Sequence, residues 1–261
     1  MNPEINLPPQ PAVAATETAP QNFFNRLVGV WFSPGATFTE IGRAPRILLP
    51  VLLVMILTSL ASYIVTNRIG YEKMVRRQIE AMAAKGFIPQ DKVEEIVNQS
   101  VTGPAATRGK IQGMVTPPLA ALVIMLITAG LLKLFTLIVG AETTFKRLLA
   151  VTAYTSLALG LIKIVLTVLV FYIKDPDEID MFNPIGSNLG AILVLTGAGL
   201  SKYLTALASW IDIFVIWQIA LLSIGTAAVS KKMKTSTVAV FISILFALAA
   251  LIFSFFASFF G

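Results

Sequence analysis

Residues 148–173 read LLAVTAYTSLALGLIKIVLTVLVFYI, and this run decides the fold class. It is apolar almost throughout, and Lys163 is its only charge. At 1.5 Å per residue a helix over it is about 39 Å long, against roughly 30 Å for a hydrocarbon core. Such a helix crosses a bilayer and either tilts or protrudes. Working outward, residues 47–65, 119–139, 211–229 and 238–260 repeat the pattern. Pro50 falls in the first turn of its run, where a missing N–H costs little. The chain is 56% apolar and only 13% charged, where a typical soluble domain carries about 25% charge. Its charges collect between the apolar runs. The rival, a very apolar soluble core, lacks the charged surface that keeps a domain dispersed. The fold class is therefore all-α: a polytopic membrane protein, a bundle of about five transmembrane helices.

The remaining segments do not span. Residues 1–21 are rich in Pro, Ala and Thr and read as a disordered tail, without the basic start and apolar core of a cleavable signal. The first span is then expected to serve as the insertion signal. A membrane domain fills residues 22–261. Within Asn22–Phe32, Phe23, Phe24, Leu27, Val28 and Trp31 share one helical face. That face suits a helix lying in the membrane interface, or equally one packed on the protein itself. Residues 67–116 form a hydrophilic insert of mixed charge. Two helical patterns, Tyr71–Met82 and Val93–Val101, flank Gly86 and Pro89, which predicts an extramembrane helical hairpin closed by Pro117 and Pro118. Asp175, Asp177, Glu178 and Asp180 make an acidic loop. Leu189–Leu200 is apolar but short for a span, which favours a re-entrant or interfacial piece; extension through Ala208 is the sixth-span alternative.

Short loops orient the bundle. Lys146 and Arg147 lie between the second and third spans, and Lys231, Lys232 and Lys234 between the fourth and fifth. Five spans put both basic loops and the N-terminus on the cytoplasmic side. The acidic loop, the insert and the C-terminus then face outside. The insert carries eight basic residues, but long loops follow the charge rule poorly.

Three charges lie inside the predicted spans: Lys133, Lys163 and Asp212. A charge at mid-bilayer costs roughly 2.5–3.5 kcal/mol on insertion scales. Lys133 sits near the end of its span and is placed to snorkel to the headgroups. Asp212 sits near the start of its own and has water within reach. Lys163 is deeper, at the level of Asp212, so Lys163 and Asp212 form a candidate intramembrane polar pair.

Cysteine and histidine are both absent. Disulfides, thiolate nucleophiles, zinc sites built on His or Cys, and a Ser–His–Asp triad are thereby excluded. No P-loop, H-E-x-x-H or G-x-S-x-G is present. No catalytic, cofactor or metal site is expected, and the acidic loop reads as solvated rather than cation-binding. The net charge of +6 comes from Lys and Arg beside apolar runs, which points to lipid headgroups and not to nucleic acid.

Three segments carry a family resemblance: LVGVWFSPGATFTEIGRAP at residues 27–45, GAETTFKRLLAVTAYT at 140–155, and IDIFVIWQIALLSIGT at 211–226 before the basic loop. In order and spacing, over about residues 23–255, the chain resembles the bacterial branch of the Yip (Ypt-interacting-protein) family. The resemblance implies a five-span bundle, a cytoplasmic N-terminus and an outward C-terminus, in a bacterial cytoplasmic membrane. Eukaryotic members are associated with Golgi and endoplasmic reticulum membranes, vesicle traffic and small-GTPase partners. Their D-L-Y-G-P type motif is absent here, so GTPase binding does not carry over. The expectation is a non-enzymatic protein that organises membrane or binds a partner, with the lipid bilayer, a membrane protein or a second copy as partners. The alternative is a transporter of a small solute, protons or lipid that uses Lys163 and Asp212.

Overall fold

The computed structural model describes residues 22–179 and 183–260. The predicted tail, Asp180 and Gly261 lie outside the described residues. Among these, all regular secondary structure is helical, apart from two isolated bridges.

Helix α1 spans Phe23–Phe32 and α2 spans Pro34–Arg43. Asn22 caps α1: its side-chain oxygen accepts the Asn25 N–H at 2.8 Å. Pro34 ends α1, because its ring disfavours helical backbone at Ser33. It then starts α2 from a position where no donor is needed. Helix α3 (Leu48–Ile69) is followed by a hairpin of α4 (Tyr71–Ala84) and α5 (Val93–Val101). Ile79, Ala83, Val93 and Val97 close a small core between those two helices, as the sequence pattern predicts.

Helix α6 corrects the sequence reading. It runs unbroken over Gly103–Ile138, through Pro117 and Pro118, which were expected to separate insert from span. Each proline removes a helical N–H and frees the carbonyl four residues before it. Those carbonyls belong to Gly113 and Met114. The Ser62 hydroxyl donates to the first at 2.7 Å and the Ser59 hydroxyl to the second at 3.3 Å. Two serines on α3 thus take the place of the lost backbone donors. The insert's last stretch, 103–116, is the projecting start of the second spanning helix.

Helix α7 spans Phe145–Ile173. Helices α8 (Leu189–Leu195) and α9 (Lys202–Ala208) follow, then α10 (Ile213–Val229) and α11 (Thr235–Phe260). Gly197 and Gly199, at φ 69° and 56°, turn the chain between α8 and α9. Residues 189–208 are therefore two short packed helices, and the sixth span is not formed. Helices α3, α6, α7 and α11 are long and apolar enough to cross a membrane. Helix α10 starts two residues later than its apolar run. With 17 residues it is about 26 Å long, short of a full hydrocarbon core.

Helix α7 is the centre of the bundle, packed by α3, α6 and α10, and α11 packs along α10 and reaches α6 through the Phe135–Phe241 stack. Helix α2 lies along α10, and its Phe38 and Ile41 are fully buried with Leu148, Val151, Leu222 and Val229. Gly225 permits this approach: a Cβ there would stand 2.5 Å from Val151 and 3.1 Å from the Phe38 ring. Close backbone contact at small residues is how helices gain packing where lipid is as apolar as the side chains.

Loop contacts define two ends. At one, the Lys231 N–H donates to the Glu142 carbonyl at 3.1 Å and its ammonium lies 3.0 Å from the Glu142 carboxylate. This joins the two basic loops beside the end of α2. At the other, Asp177 of the acidic loop pairs with Lys73 and Arg77 of α4. The insert and the acidic loop therefore share a side, as an odd number of crossings between them and the basic loops requires.

Candidate functional site

The sequence singled out one aromatic helical face and three charges. The structure uses them in four separate ways.

The aromatic face divides. Phe23, Leu27 and Trp31 turn inward onto the bundle core; Trp31 stacks on Trp217 of α10 at 6.0 Å and Phe23 meets Tyr154 of α7. Phe24, Val28 and Phe32 form the adjacent stripe and are 72%, 56% and 83% exposed. The apolar arc of α1 is thus wider than the protein surface it covers. On its other flank Arg26 is buried and tied to α2: it donates to the Glu40 carboxylate at 2.6 Å and to the Ala44 carbonyl at 2.9 Å. Burial works against this guanidinium's charge. The Glu40 carboxylate and the Tyr154 hydroxyl together outweigh burial, and its pKa is raised. Arg26 and Glu40 escaped the sequence reading. The signal lay in the spacing of opposite charges across the Ser33–Pro34 turn.

Lys163 and Asp212 are not brought together as an ion pair. Asp212 is the N-cap of α10: one carboxylate oxygen accepts the N–H groups of Phe214 at 2.6 Å and Val215 at 3.3 Å, and the other accepts from the Ser187 hydroxyl. A carboxylate at a helix N-terminus meets unpaired donors and the positive end of the dipole. The loop before α8 returns to this point, where the Leu189 N–H donates to the Ile211 carbonyl at 2.9 Å. Residues 187–189 thus claim Asp212, a contact that no periodicity announces.

Lys163 stands instead over the ring of Phe214, its ammonium 5.2 Å from the centroid. It lines a cavity of about 310 Å³ where α3, α6, α7 and α10 meet. Thr58, Ser156, Thr167 and Gln218 also line it. Gln218 was not singled out from sequence, because one amide in an apolar helix carries no pattern. Lys133 makes no ion pair among the described residues. It donates to the Thr143 carbonyl at 2.9 Å, while the Thr143 hydroxyl donates to the Val229 carbonyl at 2.9 Å. This locks the ends of α6 and α10 to the loop before α7.

No cluster of three or more acidic side chains suited to a metal occurs among the described residues. No curated protein and no protein of solved structure matches the chain. The Yip1 domain, as a family profile, matches residues 28–258, from the middle of α1 into the last turn of α11. The bundle described above is thus a Yip1 domain, and the chain belongs to that family of membrane proteins.

Proposed function

We propose that this chain is a non-enzymatic membrane-organising protein that acts by displacing lipid within one leaflet. The observation that carries the reading is the stripe Phe24–Val28–Phe32. It belongs to a helix of ten residues that cannot cross a bilayer and it is exposed, and Arg43, Arg46, Lys146 and Lys231 are exposed at the bundle end where α2 finishes. Apolar side chains flanked by basic ones suit the boundary between headgroups and acyl chains. There α1 and α2 add volume to one leaflet only. In this reading the membrane is a bacterial cytoplasmic membrane, the basic end and N-terminus face the cytoplasm, and the C-terminus faces out. The bilayer is then the principal partner, with a second copy or another membrane protein beside it. Small-GTPase binding is not part of the proposal.

The test is reconstitution into vesicles of mixed zwitterionic and anionic lipid, with vesicle shape recorded by cryo-electron microscopy. The native chain is expected to yield narrow tubules or small vesicles. Changing Phe24, Val28 and Phe32 together to Ser is expected to abolish this while leaving the bundle folded, because none of the three is buried. Equal remodelling by both proteins overturns the reading. Inert native protein overturns it in favour of partner binding.

A second reading, movement of a small solute, protons or lipid, draws on the cavity at Lys163. Asp212 adds nothing to it, since its carboxylate is occupied as a cap.

A further inference from the structure

Lys163 lies about 15 Å along the axis of α7 from Ile173 and about 27 Å from Phe145, nearer the middle of the helix than either end. Among the described residues it takes part in no ion pair. Its neighbours in the cavity are equally unspent. The Ser156 and Thr167 hydroxyls and the Gln218 amide make no side-chain hydrogen bond among the described residues. Four polar groups, one of them a cation that meets only the Phe214 ring, thus face one cavity at membrane depth without a hydrogen-bond or ion-pair partner among the described residues. Polar groups are costly in hydrocarbon unless they are satisfied, and an unpaired charge most of all.

The cavity has an entrance suited to lipid. Its walls α3 and α10 each pack on α7 and touch each other at most marginally. The rest of the lining is apolar, including Leu57, Met125 and Ile164. Gly160 leaves space at the floor: a Cβ there would find only Leu57, at 3.8 Å. A volume of about 310 Å³ accepts a small head and the first few methylenes of a chain, and no more.

We propose that the cleft between α3 and α10 binds the head of a monoanionic membrane amphiphile. One negative oxygen group, a fatty-acid carboxylate or a phospholipid phosphodiester, sits against Lys163 and accepts from Gln218 and the hydroxyls. Its chain leaves sideways into the bilayer. One lysine calls for one negative charge. An amphiphile reaches the site laterally, whereas a soluble anion would have to cross hydrocarbon first. The site is independent of the α1 stripe, so either proposal survives failure of the other.

The experiment is native mass spectrometry of the full chain released from phosphatidylcholine nanodiscs. One preparation is doped with palmitate, a second with phosphatidylglycerol, and a third is undoped and bathed in inorganic phosphate. The native chain is expected to carry a single adduct from one or both doped preparations and none from phosphate; which adduct appears tells carboxylate from phosphodiester. Lys163→Met is expected to lower adduct occupancy by about tenfold or more, the loss of one charge-assisted hydrogen bond. Gly160→Leu, which keeps the lysine and fills the cavity, should lower it similarly. Lys163→Arg should retain it. An adduct undiminished in both Lys163→Met and Gly160→Leu overturns the site, and so does a native chain bare in both doped preparations. An adduct from inorganic phosphate alone overturns the amphiphile.

Discussion

At one end of the bundle Arg26 has 1% of its side chain exposed and is held by Glu40, the Ala44 carbonyl and Tyr154. At the other, Asp177 is 60% exposed and holds Lys73 and Arg77 at the surface. The end with the basic loops is interlocked: α2 is part of the main core, Lys133 and Thr143 tie loops to helix ends, and Glu142 pairs with Lys231. The end with the insert is assembled from modules. The α4–α5 hairpin has its own core, and beyond the continuous turn into α3 and α6 it meets the bundle through surface charges and the cluster of Ile69, Phe171 and Ile179. Buried polar contacts make the first end intolerant of change. Solvated ones leave the second adaptable.

The contrast between the ends predicts, first, an all-or-none difference in sidedness. Single cysteines replacing Gln99, Glu178 or Lys234 would be exposed in this cysteine-free chain. An impermeant thiol reagent on intact cells is expected to label the first two and spare the third. Labelling of Lys234→Cys, with the other two spared, would invert the bundle. Labelling of all three would remove the five-span arrangement.

Breaking the interlocked end comes next. Arg26→Met leaves Glu40 without its main partner in a largely buried site and is expected to cost about 3–5 kcal/mol. Reversible unfolding in mild detergent measures it. Combining it with Glu40→Leu should recover much of the loss, since two apolar groups need no partner. Additive losses would show that the two residues do not act as a pair.

The same style of change at the modular end should be nearly silent. Asp177→Asn removes exposed contacts to Lys73 and Arg77 and is expected to cost less than about 1 kcal/mol, with the effect fading in high salt. A loss as large as that of Arg26→Met would erase the distinction between the ends.

The smallest expected effect is a pH dependence within the hairpin. The Arg76 guanidinium, hydrogen-bonded to Glu94 at 2.5 Å, holds that carboxyl below the usual carboxylate range. A depressed carboxyl stabilises the folded form at pH above its ordinary value. That contribution is lost as pH falls through the lowered one. Hydrogen-exchange protection factors of α4 and α5, corrected for the intrinsic slowing of exchange in acid, should therefore fall slightly on acidification, and Glu94→Gln should remove the dependence. Unchanged acid sensitivity in Glu94→Gln would place its source elsewhere.

How far each feature could be read ahead depended on its range in sequence. The spans at residues 148–173 and 238–260 are stretches of apolar composition, and composition needs no partner to be seen. The α4–α5 hairpin was visible because both its helices carry their own periodic apolar faces. The boundary at Pro117 was misplaced because prolines usually end helices. What rescues this one is a pair of serines some fifty residues earlier, Ser59 and Ser62. Asp212 was legible as a charge and not as a cap, because the start of α10 depends on a loop that folds back from residues 187–189.

By itself the sequence determined that this is an all-α, multi-pass membrane protein built on long apolar runs, and that it carries no thiol or imidazole side chain. Hydropathy and residue inventory are sums over local stretches, and no contact is needed to evaluate them. Only the tertiary structure decided which polar groups are spent and which remain. Asp212 is consumed by backbone donors of its own helix and Lys133 by a loop carbonyl. Lys163 is left facing a cavity that no single helix contains. A charge in hydrocarbon is costly until something satisfies it. What satisfies it is set by neighbours from other helices, and those exist only once the bundle has closed.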